Sequence, residues 1–132
     1  MADKGGDRIM ELKNRSQYLD KLISVQDMEV IKVVTGIRRC GKSSLLKLMM
    51  AHLREQGVME EQILSMNFES MQFADMDSKS LYQYVTERAP KGKRLYLFLD
   101  EVQKVRDWQD AVNSFRVDLD CDIYVTGSNA YL

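Results

Sequence analysis

A parallel β-sheet flanked by helices is the fold class this sequence predicts, and three observations carry the prediction. Four short apolar or β-branched runs, Val30–Thr35, Ile63–Phe68, Leu95–Leu99 and Cys121–Thr126, alternate with helix-forming segments. Alternation of this kind joins parallel strands by right-handed crossovers. The third run is apolar throughout and ends in Asp100-Glu101, as a strand buried on both faces with its C-terminal end at a site requires. Between the first strand and the first long helix, Gly36-Ile37-Arg38-Arg39-Cys40-Gly41-Lys42-Ser43 matches G-x-x-x-x-G-K-[ST].

The bulk properties bound the rest. A chain of 132 residues is one domain, and 45% hydrophobic with 30% charged residues is ordinary globular composition. A net charge of −1 gives no general attraction to nucleic acid or acidic lipid, so nucleic acid is not indicated as a partner. No apolar run is long enough for a bilayer and no signal-peptide layout opens the chain, so membrane association is not expected. Cys40 and Cys121 lack metal-ligand spacing and read as reduced thiols of a cytoplasmic protein, Cys40 as a small loop filler.

In chain order, residues 1–14 are expected to be a flexible lead-in. Apolar residues from Met10 to Val25 suggest one or two helical turns ahead of the first strand. Tyr18 there reads as core packing, with the border of an adenine pocket as the alternative. The first strand reads as buried. Ser44–Leu53 is rich in helix formers and is closed by Gly57. Glu69–Met76 is a loop, and Asp77 is the expected N-cap of a helix carrying Leu81, Tyr84, Val85 and Arg88. Pro90–Lys93 is a turn. Asp107 is the expected cap of a last helix whose Trp108, Ala111, Val112 and Phe115 share a core face.

The motif residues suit phosphate chemistry. Glycines let backbone N–H groups turn inward around the α- and β-phosphates, and the positive end of the following helix points at the same anion. The binding stretch is thus Gly36, Ile37, Arg38, Arg39, Cys40, Gly41, Lys42, Ser43 and Ser44. Lys42 reaches the β/γ-phosphates, and the Ser43 hydroxyl stands where Mg²⁺ needs a ligand. Arg38 and Arg39 could add charge near phosphate, but solvent or a subunit contact is the favoured place for at least one.

In a parallel sheet the C-terminal strand ends gather along one edge, here collecting the motif, Glu69, Asp100-Glu101 and Thr126–Asn129. Asp100 resembles the Walker B aspartate, which orients Mg²⁺ and its water ligands. Glu101 beside it can take a proton from an attacking water, which favours hydrolysis over phosphoryl transfer to a bound alcohol. Thr126, Ser128 and Asn129 resemble a sensor-1 position, where a side chain contacts the γ-phosphate or that water, although Gly-Ser-Asn is also common turn chemistry.

Three stretches, Thr35–Ser44, Leu97–Gln103 and Ile123–Ala130, together resemble the bacterial and archaeal AAA-type P-loop ATPases, in particular the group whose C-terminal half is a domain of unknown function. Arg15–Leu22 resembles that group's opening helix. The resemblance implies a P-loop NTPase sheet in the order 5-1-4-3-2, with Walker A after strand one, Walker B after strand three and sensor 1 after strand four. It implies ATP and Mg²⁺ as cofactors, Ser43 and Asp100 at the metal, and Lys42, Glu101, Ser128 and Asn129 as catalytic residues. Members of the group run well past the Gly-Ser-Asn-Ala segment. Residues 15–132 are therefore expected to be an incomplete ATPase domain, with the fifth strand, arginine finger, helical lid and C-terminal domain belonging to a longer chain. Strand one would then be a sheet edge open to pairing, so a homo-oligomer is expected. The expected function is an ATP-binding module that hydrolyses ATP in the full-length protein, weakly or not at all as this stretch alone. The alternative is a nucleotide-dependent switch with negligible turnover. No N-K-x-D motif specifies guanine, which favours ATP.

Overall fold

The computed structural model describes residues 17–35 and 39–127. Four strands, β1 (Lys32–Val34), β2 (Ile63–Asn67), β3 (Leu95–Asp100) and β4 (Cys121–Thr126), form one sheet in the order β1–β4–β3–β2. Every pairing is parallel. The order agrees with the 1-4-3-2 part of the expectation. The helices are α1 (17–24), α2 (Arg39–Glu55), α3 (Ser78–Arg88) and α4 (Trp108–Asp118). None of the described helices is long and apolar enough to cross a membrane.

The strand period of two splits the core. Leu95, Leu97 and Leu99 of β3 join Leu81 and Val85 of α3 and Val112 and Phe115 of α4 in one cluster. Tyr96 and Phe98 face the other way, into a cluster with Leu45, Met49 and Leu53 of α2 and Leu22 of α1. Phe98 stacks on Tyr124 of β4 at 4.7 Å between centroids. All six residues of β3 are buried, as the unbroken apolar run predicts, and each large side chain contributes about 1.5–3 kcal/mol.

Helix ends follow local chemistry in most places. Asp77 Oδ1 accepts from Ser80 N at 2.9 Å and Ser80 Oγ accepts from Asp77 N at 3.0 Å, a reciprocal cap that starts α3. Gly57 ends α2 at φ +94°, with its N–H on the Arg54 carbonyl and that of Val58 on Leu53, both 3.0 Å. Asp107 departs from expectation: it precedes α4 but its side chain makes no capping bond. A capping residue normally has an extended backbone, and Asp107 is left-handed at φ +57°.

Three further expectations are corrected. β1 is three residues long and Val33 is 50% exposed, because β1 ends the described sheet with β4 as its one described neighbour. Tyr18 is 39% exposed and is not a core residue. Helix α2 starts at Arg39, inside the Gly-rich motif, five residues before the expected Ser44. Burial, chiefly, pushes the Cys121 thiol up to about 11, which disfavours the thiolate at neutral pH.

At the N-terminal strand ends a polar cluster is built into the fold. Lys32 Nζ pairs with Asp122 Oδ1 and donates to the Met28 carbonyl at 2.7 Å. Asp122 Oδ2 accepts from Tyr124 OH at 2.7 Å and from Asp27 N at 3.0 Å. Tyr96 OH donates to Asp27 Oδ1 at 2.7 Å, and Arg94 Nε lies 3.0 Å from the same oxygen.

Candidate functional site

The opposite sheet edge is organised by the end of β3. Successive strand residues point to opposite faces, so Asp100 and Glu101 would diverge if the strand continued. Glu101 instead turns left-handed at φ +58°, ψ +50°, a conformation that costs a non-glycine residue about 1–3 kcal/mol. The turn brings both carboxylates to the first turns of α2.

There the contacts are specific. Ser43 Oγ donates to Asp100 Oδ2 at 2.6 Å. Lys42 Nζ donates to the Gly127 carbonyl at 3.0 Å and lies 3.4 Å from Glu101 Oε2. The lysine side chain is 7% exposed, so this charge sits in a weakly screened setting. Thr126, fully buried at the end of β4, donates its hydroxyl to Asp100 Oδ1 and accepts from Glu101 N at 3.0 Å. One hydroxyl thus ties both acidic residues to the neighbouring strand. Gln103 Nε2 donates to Glu101 Oε1 at 2.8 Å, and Phe68 N donates to the Asp100 carbonyl at 3.0 Å, which joins the end of β2.

Lys42 and Ser43, at the described end of the motif, therefore meet the ends of β3 and β4 at one sheet edge. Gly41, Lys42, Ser43 and Ser44 lie in the first two turns of α2, a helix N-terminus whose leading backbone N–H groups and dipole favour anions. The first turn carries no acidic side chain to compete for them. Ser43 Oγ and Asp100 Oδ2 are hard oxygen donors, the kind a small divalent cation takes alongside water and phosphate oxygens.

Other expectations fall elsewhere. Gly36, Ile37, Arg38, Ser128 and Asn129 lie outside the described residues, as do the side chains of Arg39 and Cys40. Glu69 is exposed and its N–H donates to Asn67 Oδ1 at 3.0 Å. Thr126, expected near phosphate or water, directs its single hydroxyl hydrogen at Asp100 instead. Gln103 closes the Leu97–Gln103 stretch of the resemblance, but the sequence assigns it no role. It sits two residues past Glu101 and is folded back by the 3₁₀ turn Val102–Lys104, a contact no helical or strand periodicity encodes.

Comparison with known proteins gives the family. The family model described as an AAA domain matches residues 29–132. An uncharacterized protein of Haemophilus influenzae (strain ATCC 51907 / DSM 11121 / KW20 / Rd) is 41% identical over 121 residues, covering 90% of this chain and 30% of that relative. The chain thus spans less than a third of the length of the curated relative it matches. No solved structure matches. With the family match running from the strand before the Gly-rich motif past the Asp-Glu pair and β4, this chain belongs to the AAA domain family of AAA-type ATPases.

Proposed function

We propose that the chain is the ATP-binding module of an AAA-type ATPase that hydrolyses ATP to ADP and phosphate with Mg²⁺ in the longer protein. The observation that supports this most is the convergence of Lys42, Ser43, Asp100 and Glu101 at one sheet edge. Lys42 and the backbone amides of the motif hold phosphate, with Gly36 to Arg39 and Ser44 completing the cradle. Ser43 and Asp100 hold Mg²⁺, which when bound offsets charge on the β- and γ-phosphate oxygens. Glu101 takes the proton of the attacking water as its oxygen bonds to the γ-phosphorus and the bond to ADP breaks. Ser128 and Asn129 are proposed to contact the γ-phosphate or that water.

Calorimetric titration with Mg·ATP tests the first half: wild type binds and Lys42→Ala does not. Phosphate release compared with Glu101→Gln tests the second. Equal, negligible rates in both would replace the ATPase with a nucleotide-dependent switch. The relative's greater length makes a C-terminal domain a proposed partner within the longer chain. A second copy at β1, with Val33 exposed on this end strand, is a proposed assembly; light scattering that shows a strict monomer at high concentration removes it. The cytoplasm is the proposed location.

A further inference from the structure

Glu101 has two carboxylate oxygens, and different groups hold them. Oε2 faces the Lys42 ammonium at 3.4 Å, while Oε1 accepts from Gln103 Nε2 at 2.8 Å. The second contact is shorter and is mounted on a rigid support. Val102 and Val105, on either side of Gln103, are 0% and 2% exposed and anchor the turn in the α3–α4 core.

The amide orientation carries a cost that needs a reason. Gln103 Oε1 is buried and has no hydrogen-bond partner among the described residues. Buried acceptors are normally satisfied, and an exception calls for an explanation. A carboxylate only accepts, so the amide must turn its NH₂ toward Glu101, which leaves its carbonyl on the protein side. The arrangement forgoes a bond at the carbonyl and keeps one on Glu101.

We propose that Gln103 is a positioning residue that holds the Glu101 carboxylate for the attacking water. The inference rests on the proposed role of Glu101 as proton acceptor. When Lys42 serves phosphate, Gln103 remains as the side chain holding Glu101, and the left-handed backbone at 101 sets the direction. The chemistry asks for a donor at this place; a side chain that merely fills space would not serve.

Two variants and one spectrum test it in the protein. Gln103→Met keeps length and removes the donor. Gln103→Glu keeps shape and faces one carboxylate with another. We expect Gln103→Met to bind a fluorescent ATP analogue within about twofold of wild type and to hydrolyse about tenfold more slowly in a single turnover, with Gln103→Glu slower still. A rate for Gln103→Met equal to wild type overturns the inference. Independently of turnover, the Gln103 side-chain amide signals in a ¹⁵N–¹H spectrum, assigned by their loss in Gln103→Met, move in Glu101→Ala. Unmoved signals overturn the inference and leave the ATPase reading standing. A wild type that binds ATP without hydrolysing it removes the ATPase reading, while moved signals still support the hold of Gln103 on Glu101.

Discussion

Lys32 and Lys42 are both nearly buried, at 4% and 6% exposure, yet they lie at opposite ends of the same sheet and are held differently. Lys32 has a carboxylate, a backbone carbonyl at 2.7 Å and the face of Tyr124 at 5.5 Å. Its partner Asp122 is itself filled by Tyr124 and the Asp27 amide. Lys42 has one backbone carbonyl and a carboxylate at the looser distance of 3.4 Å. A buried cation is therefore no sign of a site by itself. The closed pair belongs to the fold, whereas the loosely held ammonium beside a helix N-terminus can be offered to an external anion.

The comparison breaks or holds on stability first. Asp122→Ala strands the Lys32 charge in the interior and should cost about 3–5 kcal/mol in urea denaturation. Lys42→Ala should cost less than about 1 kcal/mol in the same assay, because Glu101 keeps Gln103 as a partner. Equal losses would show that both lysines are structural. On ligand binding the order reverses. Lys42→Ala should weaken Mg·ATP about 100-fold or more, equivalent to about 2.7 kcal/mol. Lys32→Met paired with Asp122→Leu, which replaces the whole buried pair, should leave affinity unchanged if the double variant folds.

Thr126 sharpens the site end. Thr126→Val keeps the shape but leaves the Glu101 N–H unpaired and takes a donor from Asp100. Stability should fall by about 1–3 kcal/mol, with Thr126→Ser recovering most of it. If Thr126→Val melts with wild type, the hydroxyl does not organise the two carboxylates.

What the sequence made legible follows physical range. The fully buried β3, the Asp77 cap and the Gly57 stop are local, and each was readable from a few adjacent residues. The convergence of the motif with Asp100 and Glu101 was readable because strand polarity gathers C-terminal ends whatever the details. Pairings distant in sequence were not. Lys32 and Asp122 are 90 residues apart, and nothing near either announces the other. The exposure of Val33 depends on which strand lies beside β1, a property of order and not of propensity. Residue type alone also leaves a hydroxyl's direction open. Thr126 carried the right polarity for a phosphate contact and used it on Asp100.

A modest effect at neutral pH comes from the phenols of the closed end. Burial, then the hydrogen bond to Asp122, raises the Tyr124 hydroxyl well above its ordinary 10.0. Burial, then Asp27, does the same for Tyr96. A raised group contributes stability that is fully present below the unfolded value and is lost as pH climbs toward the folded one. Above about pH 10 the unfolded chain releases these protons and the native chain keeps them, so stability falls with rising pH. Tyr124→Phe removes one such group. It should cost about 1 kcal/mol at pH 7, through the lost bond to Asp122. Between about pH 10 and 11.5 its stability should then decline less steeply than wild type, by up to about 1.4 kcal/mol per pH unit. Identical alkaline slopes would mean that the Tyr124 phenol is not held protonated by Asp122, and the pairing at that end would be less closed than the contrast with Lys42 requires.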